Sequence, residues 1–473
     1  MKNDILEIIR KASSGSEAYF VGGWLRDSLI GRKNDDIDIA AVKNPMALAK
    51  KTAAALGGRV VVLDEKNKIY RVAIKNNPAI KYIDFASFKG KDIEADLAKR
   101  DFTVNAMARA VSSRGKELID PLGGKKDLKK KLLKMTSPGV FKDDPLRLLR
   151  AFRIAAQLNL SIDPATLRAI KMNSGLIKKS AGERVRDELV KLLESPDAYD
   201  WVIKMDTAGL MGEIFPETAV MKKSARKFYF HPNGLWQHSM ETLESFEEIV
   251  SGLKKIFPKS HKKITGHLSG QFSGGLSRLA LLKIICLLHD VGKPGCAKRF
   301  GNKMRFLGHE TKGARLLAGI LSRLRFGRNE IKTASKLVES HMRPVSLGQA
   351  ACLTPRAFYR LYRHMGNDTV DLALLSLSDC YSYRRLKTRK AVELKIMKAL
   401  AEEIIDKYFS ETEKPAAVKL IDGNDLLRSF DLKPGPIIGK LLKAVNEAHA
   451  LGTLTDKAEA LAFAKRRLTR LKK

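Results

Sequence analysis

The chain has 473 residues, of which 44% are hydrophobic and 30% are charged, so its composition excludes a disordered protein. This length exceeds what one hydrophobic core can organise, and we expect about two to four domains. The 88 Lys and Arg residues against 52 Asp and Glu residues give a formal net charge of +36, which favours a polyanionic partner because phosphate contacts reward clustered cations. A generally basic surface without such a partner is the alternative interpretation.

Membrane insertion and disulfide bonding are not expected. The longest apolar run, LALLKIICLLHD, is interrupted by Lys283 and is too short to span a bilayer. The 4 cysteines form no C-x-x-C pair, which indicates a reducing compartment. The first residues, MKNDILEIIRKASS, predict an amphipathic helix rather than a signal peptide. We therefore expect a cytoplasmic protein with no membrane partner.

The first part of the chain, to about residue 120, mixes strands and helices. Strands are predicted, from β-branched or alternating apolar residues, in AYFVGG, DDIDIAAV, GRVVVLD, IYRVAI and YIDFASF. The segment NPMALAKKTAAAL predicts a helix with Asn44 as its cap and Pro45 in its first turn. After IDPLGGKKDL the strands stop and the helical period dominates, apart from FPKSHKKITGHLSGQFSGGLS, which is typical of a long loop. The predicted fold class is α+β, with a small mixed β-sheet head and a long all-α body.

Two acids share one face of the second predicted strand. Asp36 and Asp38 are two residues apart, so their side chains point to the same side while Ile37 and Ile39 point to the other. Carboxylates at this spacing, about 7 Å, repel each other, and a hard divalent cation such as Mg²⁺ removes that cost. Asp84, on a plausible neighbouring strand, would add a third carboxylate. Two acids that end a loop and face water are the alternative.

Two glycines precede this acid pair. Gly22 and Gly23 stand between a predicted strand and a predicted helix, where their backbone N–H groups can face a triphosphate and Arg26 adds a positive charge. A tight turn that requires glycine is compatible with this interpretation. An anion site beside a carboxylate pair favours nucleotidyl transfer, in which one metal activates a 3′-hydroxyl and another steadies the departing pyrophosphate.

Five ordered motifs make a family resemblance specific: VGGWLRDSLIGRKNDDIDIA, KRDFTVNAMA, IDPLGG, DDPLRLLRAFRIA and GERVRDEL. Over roughly the first half of the chain they resemble class II tRNA nucleotidyltransferases and bacterial poly(A) polymerases. The roles that this resemblance implies are nucleotide contact for Gly23 and Arg26, Mg²⁺ binding for Asp36 and Asp38, a third carboxylate for Asp84, triphosphate binding for Arg100 and contact near the ribose for Asn105.

Base selection is predicted in FKDDPLRLLRAFRIAAQL. Asp144 and Arg147, three residues apart, lie on one face of a predicted helix. Cytosine and adenine present an amino group for the carboxylate and a ring-nitrogen acceptor for the guanidinium, whereas uracil and guanine place a carbonyl opposite the carboxylate. The structural alternative is that Asp144 is the N-cap of the predicted helix and that the arginines of this helix form a basic stripe on its surface. The resemblance implies base selection by Asp144 and Arg147 and phosphate support by Arg150 and Arg153.

The product is indicated by a short connection. Members of the family that add all three nucleotides usually have an extended loop between the third-carboxylate strand and the KRDFT-like motif. In this chain the segment DFASFKGKDIEADLAKRDFT leads almost directly from that strand to the motif. Members restricted to two cytidines share this shortening. The resemblance therefore predicts tRNA 3′-end synthesis or repair from CTP, and from ATP as well if addition is not restricted to CC. CC addition would require a partner A-adding enzyme. A poly(A) polymerase and a metal phosphohydrolase with an RNA-binding head are the alternatives.

Spaced His and Asp residues in the second half predict another site. Imidazole and carboxylate groups suit a divalent metal that polarises phosphate. Their motifs, including LLHDVGKP and LSLSDCYSY, resemble the HD phosphohydrolase domain. That resemblance implies Mg, Mn or Ni ligands at His238, His289, Asp290 and Asp379, with His309 and His341 for a second metal or the substrate phosphate. Hydrolysis of phosphomonoesters or 2′,3′-cyclic phosphates is predicted, and a scaffold for tRNA is the alternative.

These patterns divide the chain into four predicted domains. They are a nucleotidyltransferase head at 1–122, a helical nucleotide-selecting neck and body at 123–220, an HD-type domain at 221–410 and a tRNA-binding tail at 411–473. The basic end of the tail, AKRRLTRLKK, would contact tRNA phosphates. A solvated helix end is the alternative for that segment.

Overall fold

The computed structural model describes residues 2–75, 80–113, 117–224, 234–301, 303–349, 354–384, 391–413 and 419–472. The chain forms two compact units, Met1–Phe215 and Pro216–Lys473. Within the described ranges, none of the helices has both the length and the apolar character needed to traverse a bilayer.

The first unit combines a sheet with helices. Its strands are β1 (Ala18–Val21), β2 (Asp36–Ala41), β3 (Arg59–Asp64), β4 (Ile69–Ala73), β5 (Tyr82–Ser87), β6 (Ala108–Ala110), β7 (Leu132–Leu133) and β8 (Ser161–Ile162). Its helices are α1 (Lys2–Ala12), α2 (Gly22–Leu29), α3 (Pro45–Leu56), α4 (Ile93–Ala98), α5 (Gly124–Lys129), α6 (Val140–Asp143), α7 (Arg147–Leu158), α8 (Pro164–Asn173), α9 (Gly182–Leu193), α10 (Ala198–Thr207) and α11 (Leu210–Ile214).

The main sheet has six strands in the order β3-β4-β5-β2-β1-β6. Strands β2 and β5 are parallel and the other pairs are antiparallel, so the sheet is mixed. Alternation places Ile37 and Ile39 on the buried side of β2, where both are almost fully inaccessible. Helix α3 packs against β3, β4 and β5. The acids of β2 are thereby left on the opposite face.

The predicted α+β fold class is confirmed, and so are the five predicted strands. The predicted helix start is also confirmed, because the Asn44 side chain accepts a hydrogen bond from the Ala47 N–H at 3.1 Å and Pro45 is the first residue of α3. The expectation that strands stop after IDPLGGKKDL is wrong in detail. The short strand pair β7–β8 follows, and the side chain of Leu133, the second residue of β7, is buried.

The second unit is almost entirely helical. Its helices are α12 (Glu217–Lys223), α13 (Leu235–Ser251), α14 (Leu253–Ile256), α15 (His261–Ser269), α16 (Arg278–Leu288), α17 (His309–Arg323), α18 (Arg328–Ser340), α19 (Arg343–Gly348), α20 (Pro355–Met365), α21 (Thr369–Tyr381), α22 (Ala391–Glu413), α23 (Gly423–Phe430), α24 (Pro436–Ala450) and α25 (Lys457–Lys472). A hairpin of β9 (Lys298–Phe300) and β10 (Lys303–Arg305) lies between α16 and α17. Helices α16 and α21 are buried on nearly every side and form the centre of this unit.

One loop prediction in the second unit is wrong. The segment FPKSHKKITGHLSGQFSGGLS contains helix α15, although its many Gly, Ser and Lys residues are typical of a loop. Ile264 and Leu268, four residues apart, are both buried and give the segment an apolar side against the unit. Tertiary packing of two residues outweighs the composition of the whole segment.

Candidate active sites

The three predicted carboxylates of the head meet on one face of the sheet. Asp38 on β2 lies directly beside Asp84 on β5 in the parallel register, and Asp36 lies beside Tyr82. Burial raises the pKa of Asp38 to about 6; Arg100 opposes this shift, and the charge of Asp84 adds to it. Burial also raises the pKa of Asp36. Three converging carboxylates, two of them with a raised pKa, fit Mg²⁺, because a bound cation would offset the repulsion among their negative charges.

Arg71 is a residue at this site that the sequence-based prediction missed. It stands opposite Asp84 on the antiparallel strand β4, and its Nε and Nη2 donate to the two Asp84 oxygens at 2.8 and 2.7 Å. Its guanidinium carbon also lies 4.5 Å from the centre of the Tyr82 ring. A charged residue in the middle of IYRVAI was the signal that could have predicted an acid on the adjacent strand. Arg71 therefore fixes the orientation of the third carboxylate.

Gly22 allows the start of α2 to approach Asp38. It has φ +67°, and a Cβ atom there would lie 3.0 Å from Asp38 Oδ2 and 3.3 Å from Arg100 Nη1. The backbone N–H of Trp24 donates to the Asp38 carboxylate. A Cβ on Gly23 would lie 3.9 Å from the same oxygen. The glycines thus bring a helix N-terminus, a carboxylate and a guanidinium together.

Substitution Gly22→Ala is expected to lower nucleotide incorporation at least about tenfold, because the added Cβ strains the left-handed backbone and displaces Asp38 or Arg100. Gly31→Ala is the matched control. Gly31 has φ +71° but no atom within 4 Å of its Cβ position, so it carries the same backbone strain without the contact. Steady-state incorporation and thermal melting of both variants measure the difference. Equal loss of activity in both would contradict a role for the close approach.

The pKa of Asp38 predicts a pH dependence for metal use. A raised pKa means that the folded protein holds a proton on Asp38 up to about pH 6, whereas an ordinary Asp loses it near pH 4. Mg²⁺ must displace that proton, so the concentration of Mg²⁺ giving half-maximal incorporation should rise as the pH falls through about 6 and stay constant well above it. A Mg²⁺ titration at several pH values tests this. A requirement that does not change across that range would contradict the assignment.

Arg100 also lies at the carboxylate site. Its Nε and Nη2 donate to Asp96 Oδ2 at 3.0 and 2.9 Å, while Nη1 is the atom that approaches Gly22. One edge of the guanidinium is therefore held by α4 and the other reaches the start of α2. Triphosphate binding by Arg100 stays a prediction.

Arg26 and Asn105 are buried against each other. Arg26 Nε donates to Asp27 Oδ1 at 2.8 Å and Nη1 donates to Asn105 Oδ1 at 2.6 Å. The amide of Asn105 in turn donates to Asp101 Oδ1 at 3.0 Å. The predicted nucleotide contacts of Arg26 and Asn105 would have to be made from within this network, and they stay predictions.

The basic stripe of α7 is engaged with acids. Arg150 donates from Nε and Nη2 to Asp101 Oδ2 at 3.1 and 2.8 Å, and Arg153 pairs with Glu188 of α9. Burial acts to raise the pKa of Asp101, but Arg150, together with hydrogen bonds from Asn105 and the Phe102 N–H, holds that pKa well below its usual range. These ion pairs attach α7 to the KRDFT motif and to α9. Phosphate support by the two arginines stays a prediction.

Asp144 and Arg147 occupy the segment between α6 and α7. Helix α7 begins at Arg147, but Asp144 Oδ1 accepts from the Leu146 N–H at 3.2 Å, which is the contact expected of an N-cap side chain. The other oxygen, Oδ2, accepts from Arg184 Nη2 at 2.9 Å. Arg147 is buried and donates from Nη2 to the Lys99 carbonyl at 3.0 Å. Arg184, within the quoted motif GERVRDEL, was not singled out from the sequence.

The connection between β5 and α4 is short. Strand β5 ends at Ser87 and α4 begins at Ile93, with the Asp92 side chain accepting from the Ala95 N–H at 2.8 Å. Residues 88–92 therefore pass directly from the third-carboxylate strand into the helix that precedes KRDFT. This is the geometry that the sequence predicted.

All six residues predicted for the second site meet in the core of the helical unit, around Asp290. Asp290 Oδ2 lies 3.3 Å from the Nε2 atoms of both His238 and His289, and Oδ1 lies 3.5 Å from His309 Nε2 and 3.6 Å from His341 Nε2. Asp379 Oδ1 lies 3.1 Å from His238 Nε2. The ligand atoms form two overlapping groups, His238–His289–Asp290 and Asp290–His309–His341.

Three histidines of this cluster are held in the same tautomer. Each contacts, through Nδ1, the backbone carbonyl three residues before it, and a carbonyl can only accept, so Nδ1 carries the proton. The pairs are His289 with Cys286 at 2.9 Å, His309 with Phe306 at 2.8 Å and His341 with Val338 at 2.7 Å. The Nε2 atoms therefore point into the cluster, as those of metal-ligating imidazoles do. Burial acts to lower the pKa of His289, but Asp290 and Asp379 raise it overall.

The cluster fits divalent metal ions. Within the described ranges, Asp290 Oδ1 and His289 Nε2 are buried without a hydrogen-bond partner, and two acceptor atoms, His309 Nε2 and His341 Nε2, lie only 3.3 Å apart. Burial lowers the pKa of His341 to about 4, so this imidazole is neutral and ready to coordinate. Burial acts to raise the pKa of Asp290, but Lys293 and His289 hold it well below its usual range. Asp290 belongs to both groups of ligand atoms and would be the carboxylate that they share if metal ions bind.

A cavity of about 870 Å³ opens onto this cluster. Asp379 and His309 line it together with Lys293, which is hydrogen-bonded to Asp290. Much of the remaining wall is apolar and includes Met342 and Phe306. The cavity can therefore hold an organic group while a phosphate reaches the buried ligands.

The fold and the two sites define a two-part protein, with a nucleotidyltransferase head on a mixed sheet and an HD-type helical domain. The sequence matches the Poly A polymerase head domain over residues 18–134, the probable RNA and SrmB-binding site of polymerase A over 159–222 and the HD domain over 235–402. It is 33% identical to the A-adding tRNA nucleotidyltransferase of Deinococcus radiodurans over 457 residues, covering 95% of both chains. The chain belongs to the tRNA nucleotidyltransferase family.

Further relatives and solved structures agree with this membership. The CC-adding tRNA nucleotidyltransferase of Geobacter sulfurreducens is 31% identical over 461 residues, covering 96% of this chain and 93% of that one. The apo form of a CCA-adding enzyme has the same fold, with a TM-score of 0.64 at 22% identity over 97% of this chain and 92% of that one. The Thermotoga maritima CCA-adding enzyme complexed with tRNA gives a TM-score of 0.62 at 22% identity, covering 98% and 95%.

Proposed function

We propose that this chain adds cytidine from CTP to the 3′ end of tRNA, without a template, and stops after two additions. The observation that carries the restriction is the direct connection of residues 88–92 between β5 and α4. The CC-adding relative supports this proposal. The A-adding relative has a similar sequence identity to this chain, so addition of the terminal A from ATP is the competing outcome. A cytoplasmic location and a separate A-adding partner enzyme belong to the same proposal.

Asp36 and Asp38 would hold Mg²⁺, with Asp84, oriented by Arg71, as the third carboxylate. When bound, the metal activates the RNA 3′-hydroxyl and stabilises the departing pyrophosphate. The new bond joins the 3′-oxygen to the α-phosphorus, and the bond to pyrophosphate breaks. Arg100 and the N-terminus of α2 lie beside Asp38 and would bind the triphosphate.

Asp144 and Arg147 would select the base by the pairing that distinguishes cytosine and adenine from uracil and guanine. In the structure these groups contact Arg184 and the Lys99 carbonyl. Base binding would therefore exchange two internal contacts for contacts to the nucleotide. Arg150, through its ion pair with Asp101, would keep α7 in position during this exchange.

Product mapping tests the transferase proposal. Purified protein receives CTP and ATP together with tRNA transcripts ending at the discriminator base, after one C and after CC, and the products are separated at single-nucleotide resolution. We expect extension of the first two transcripts to CC and no extension of the third. Efficient A addition would reject the CC restriction, and long A tails on unrelated RNA would indicate a poly(A) polymerase instead.

We also infer a metal-dependent phosphohydrolase in the helical unit, with Mg, Mn or Ni at His238, His289, Asp290 and Asp379 and a second ion at His309 and His341. A bound metal lowers the pKa of water and polarises the phosphate. The water oxygen forms the new P–O bond, the ester P–O bond breaks, and the departing oxygen takes a proton. Lys293, beside Asp290 and on the cavity wall, is placed to contact the phosphate.

The phosphohydrolase is tested by removing metal with a chelator and reloading with Mg²⁺, Mn²⁺ or Ni²⁺. Hydrolysis of mononucleotide phosphomonoesters and 2′,3′-cyclic phosphates is compared between the wild-type protein and His289→Ala, and bound metal is counted by mass spectrometry. Activity and metal content that fall together in the variant support the proposal. Equal background hydrolysis in both proteins would leave the helical unit as a scaffold for tRNA.

The four domains, with bounds 1–122, 123–220, 221–410 and 411–473, remain part of the proposal.

A further inference from the structure

The hairpin β9–β10 presents two different faces. In its antiparallel register Lys298 stands opposite Arg305 and Arg299 stands opposite Met304. Opposed residues share a face and successive residues alternate, so Lys298, Phe300 and Arg305 lie on one face. The guanidinium carbon of Arg305 is 5.7 Å from the centre of the Phe300 ring, as this placement requires. Arg299 lies on the other face.

The face formed by Lys298, Phe300 and Arg305, here called the hairpin face, is open to solvent. All three residues are exposed, and Phe300 keeps 48% of its surface accessible. In the part of the chain that the structure describes, no carboxylate lies within ion-pair distance of Lys298 or Arg305. Two adjacent cations without acidic partners, beside an exposed aromatic ring, are a combination that suits a ligand carrying both phosphates and flat bases.

The hairpin borders the cavity of the second site. Arg305 lines that cavity, and the residues that follow it, Phe306 and Leu307, continue the same wall. His309 and Asp379 of the metal cluster line it as well. A strand whose terminal phosphate reaches the cluster would therefore pass Arg305 on leaving the cavity, and its next nucleotides would meet the hairpin face.

We propose that the hairpin face binds single-stranded RNA, and that the second site acts on a phosphate at the end of an RNA strand in preference to a free mononucleotide. This inference rests on the phosphohydrolase proposed above. Cations that follow a phosphate backbone, with an aromatic ring on which a base stacks, are the recurring elements of single-strand recognition. RNA is the polyanion favoured here because the head of the same chain belongs to a family that extends RNA.

The experiment compares two substrates of the metal-loaded full-length protein: a short single-stranded RNA with a 3′-phosphate and the free nucleoside 3′-monophosphate. We expect a higher kcat/KM for the oligonucleotide. The double substitution Lys298→Glu and Phe300→Ala, at two residues outside the cavity wall, should lower kcat/KM for the oligonucleotide about tenfold or more and leave the mononucleotide within about twofold. Arg305→Glu, which also changes the cavity wall, should lower kcat/KM for the oligonucleotide. Arg299→Glu, a charge reversal on the opposite face of the same hairpin, is the matched control and should change neither substrate.

The outcomes separate this inference from the function on which it rests. Equal efficiency on both substrates, or an equal effect of the double substitution and the Arg299 control, overturns the inference while the phosphohydrolase stands. A single-stranded DNA 3′-phosphate that is cleaved as well as the RNA overturns the choice of RNA. Failure of the wild-type protein to hydrolyse the mononucleotide and the oligonucleotide refutes the phosphohydrolase itself and removes the inference with it.

Discussion

Substitution Asp38→Asn is expected to reduce cytidine incorporation by about a thousandfold or more, while the fold is retained. Asn has the shape of Asp but lacks the charge that a divalent cation requires, and a metal at such a site contributes several kcal/mol of transition-state stabilisation. Because the pKa of Asp38 is raised, its carboxylate form is disfavoured by burial, so removing the charge should leave the melting temperature unchanged or higher. Incorporation of labelled CTP into tRNA lacking its 3′ end measures the effect.

Asp35→Asn is the matched control for this prediction. Asp35 lies three residues earlier in the chain and pairs at the surface with Lys81 at 2.7 Å; its charge also contributes, after burial, to the raised pKa of Asp36. Its substitution should leave incorporation within about twofold, since exposed pairs contribute little. An Asp38→Asn protein that still incorporates cytidine at a comparable rate would show that the transferase chemistry lies elsewhere.

Substitution Asp290→Asn is expected to abolish phosphohydrolysis and to reduce the bound metal below that of the wild-type protein. Asp290 contacts both groups of histidines with its two oxygens, whereas Asn offers one neutral oxygen in place of two that share a charge. Loss of about a thousandfold in hydrolysis is expected, because both groups of ligands would lose the carboxylate that they share. Cytidine incorporation by the same protein should stay within about twofold. Metal counting and the two activity assays measure these effects.

The control for Asp290→Asn is another buried aspartate of the helical unit. Asp371 lies on α21 and pairs with His267 at 2.9 Å and with Arg278, away from the metal cluster. Asp371→Asn should lower the melting temperature, because it removes one of the two carboxylates that pair with the largely buried Arg278, but it should not lower the metal content of the folded protein. Equal loss of metal in both variants would mean that general destabilisation, and not ligation, explains the result.

The strands of the head were predictable because they alternate, but their pairing was not. Alternation in DDIDIAAV and YIDFASF places the acids of each strand on one face, and that much is local. The parallel register that sets Asp38 beside Asp84 joins segments separated by α3, β3 and β4, and it depends on how the intervening chain folds. The neighbour of the third carboxylate, Arg71, follows from the same long-range pairing.

The arginines of α7 show a second limit of prediction from the sequence. The sequence predicts a row of arginines, but it does not show that Arg150 meets Asp101 or that Arg153 meets Glu188. A side chain predicted from a motif to contact a phosphate can equally hold two elements together, and only the packed structure distinguishes the two. The contact of Asp144 with Arg184 of α9 is likewise not visible in the sequence.

The metal cluster was predictable in its members and not in its geometry. The resemblance to HD domains named all six residues, because their motifs are local. That Asp290 stands between two groups of histidines follows from the packing of α13, α16, α17, α18 and α21, which no local pattern describes. The hydrogen bonds that fix the imidazole tautomers are local, however, since each runs to the carbonyl three residues earlier.

Anomalous diffraction from crystals grown with Mn²⁺ and a non-hydrolysable CTP analogue would locate the transferase metal. We expect a manganese peak within coordination distance of the Asp36 and Asp38 carboxylates, with the triphosphate between Arg100 and the N-terminus of α2. Manganese found at the histidine cluster alone, with the nucleotide bound away from the β2–β5 face, would contradict this expectation.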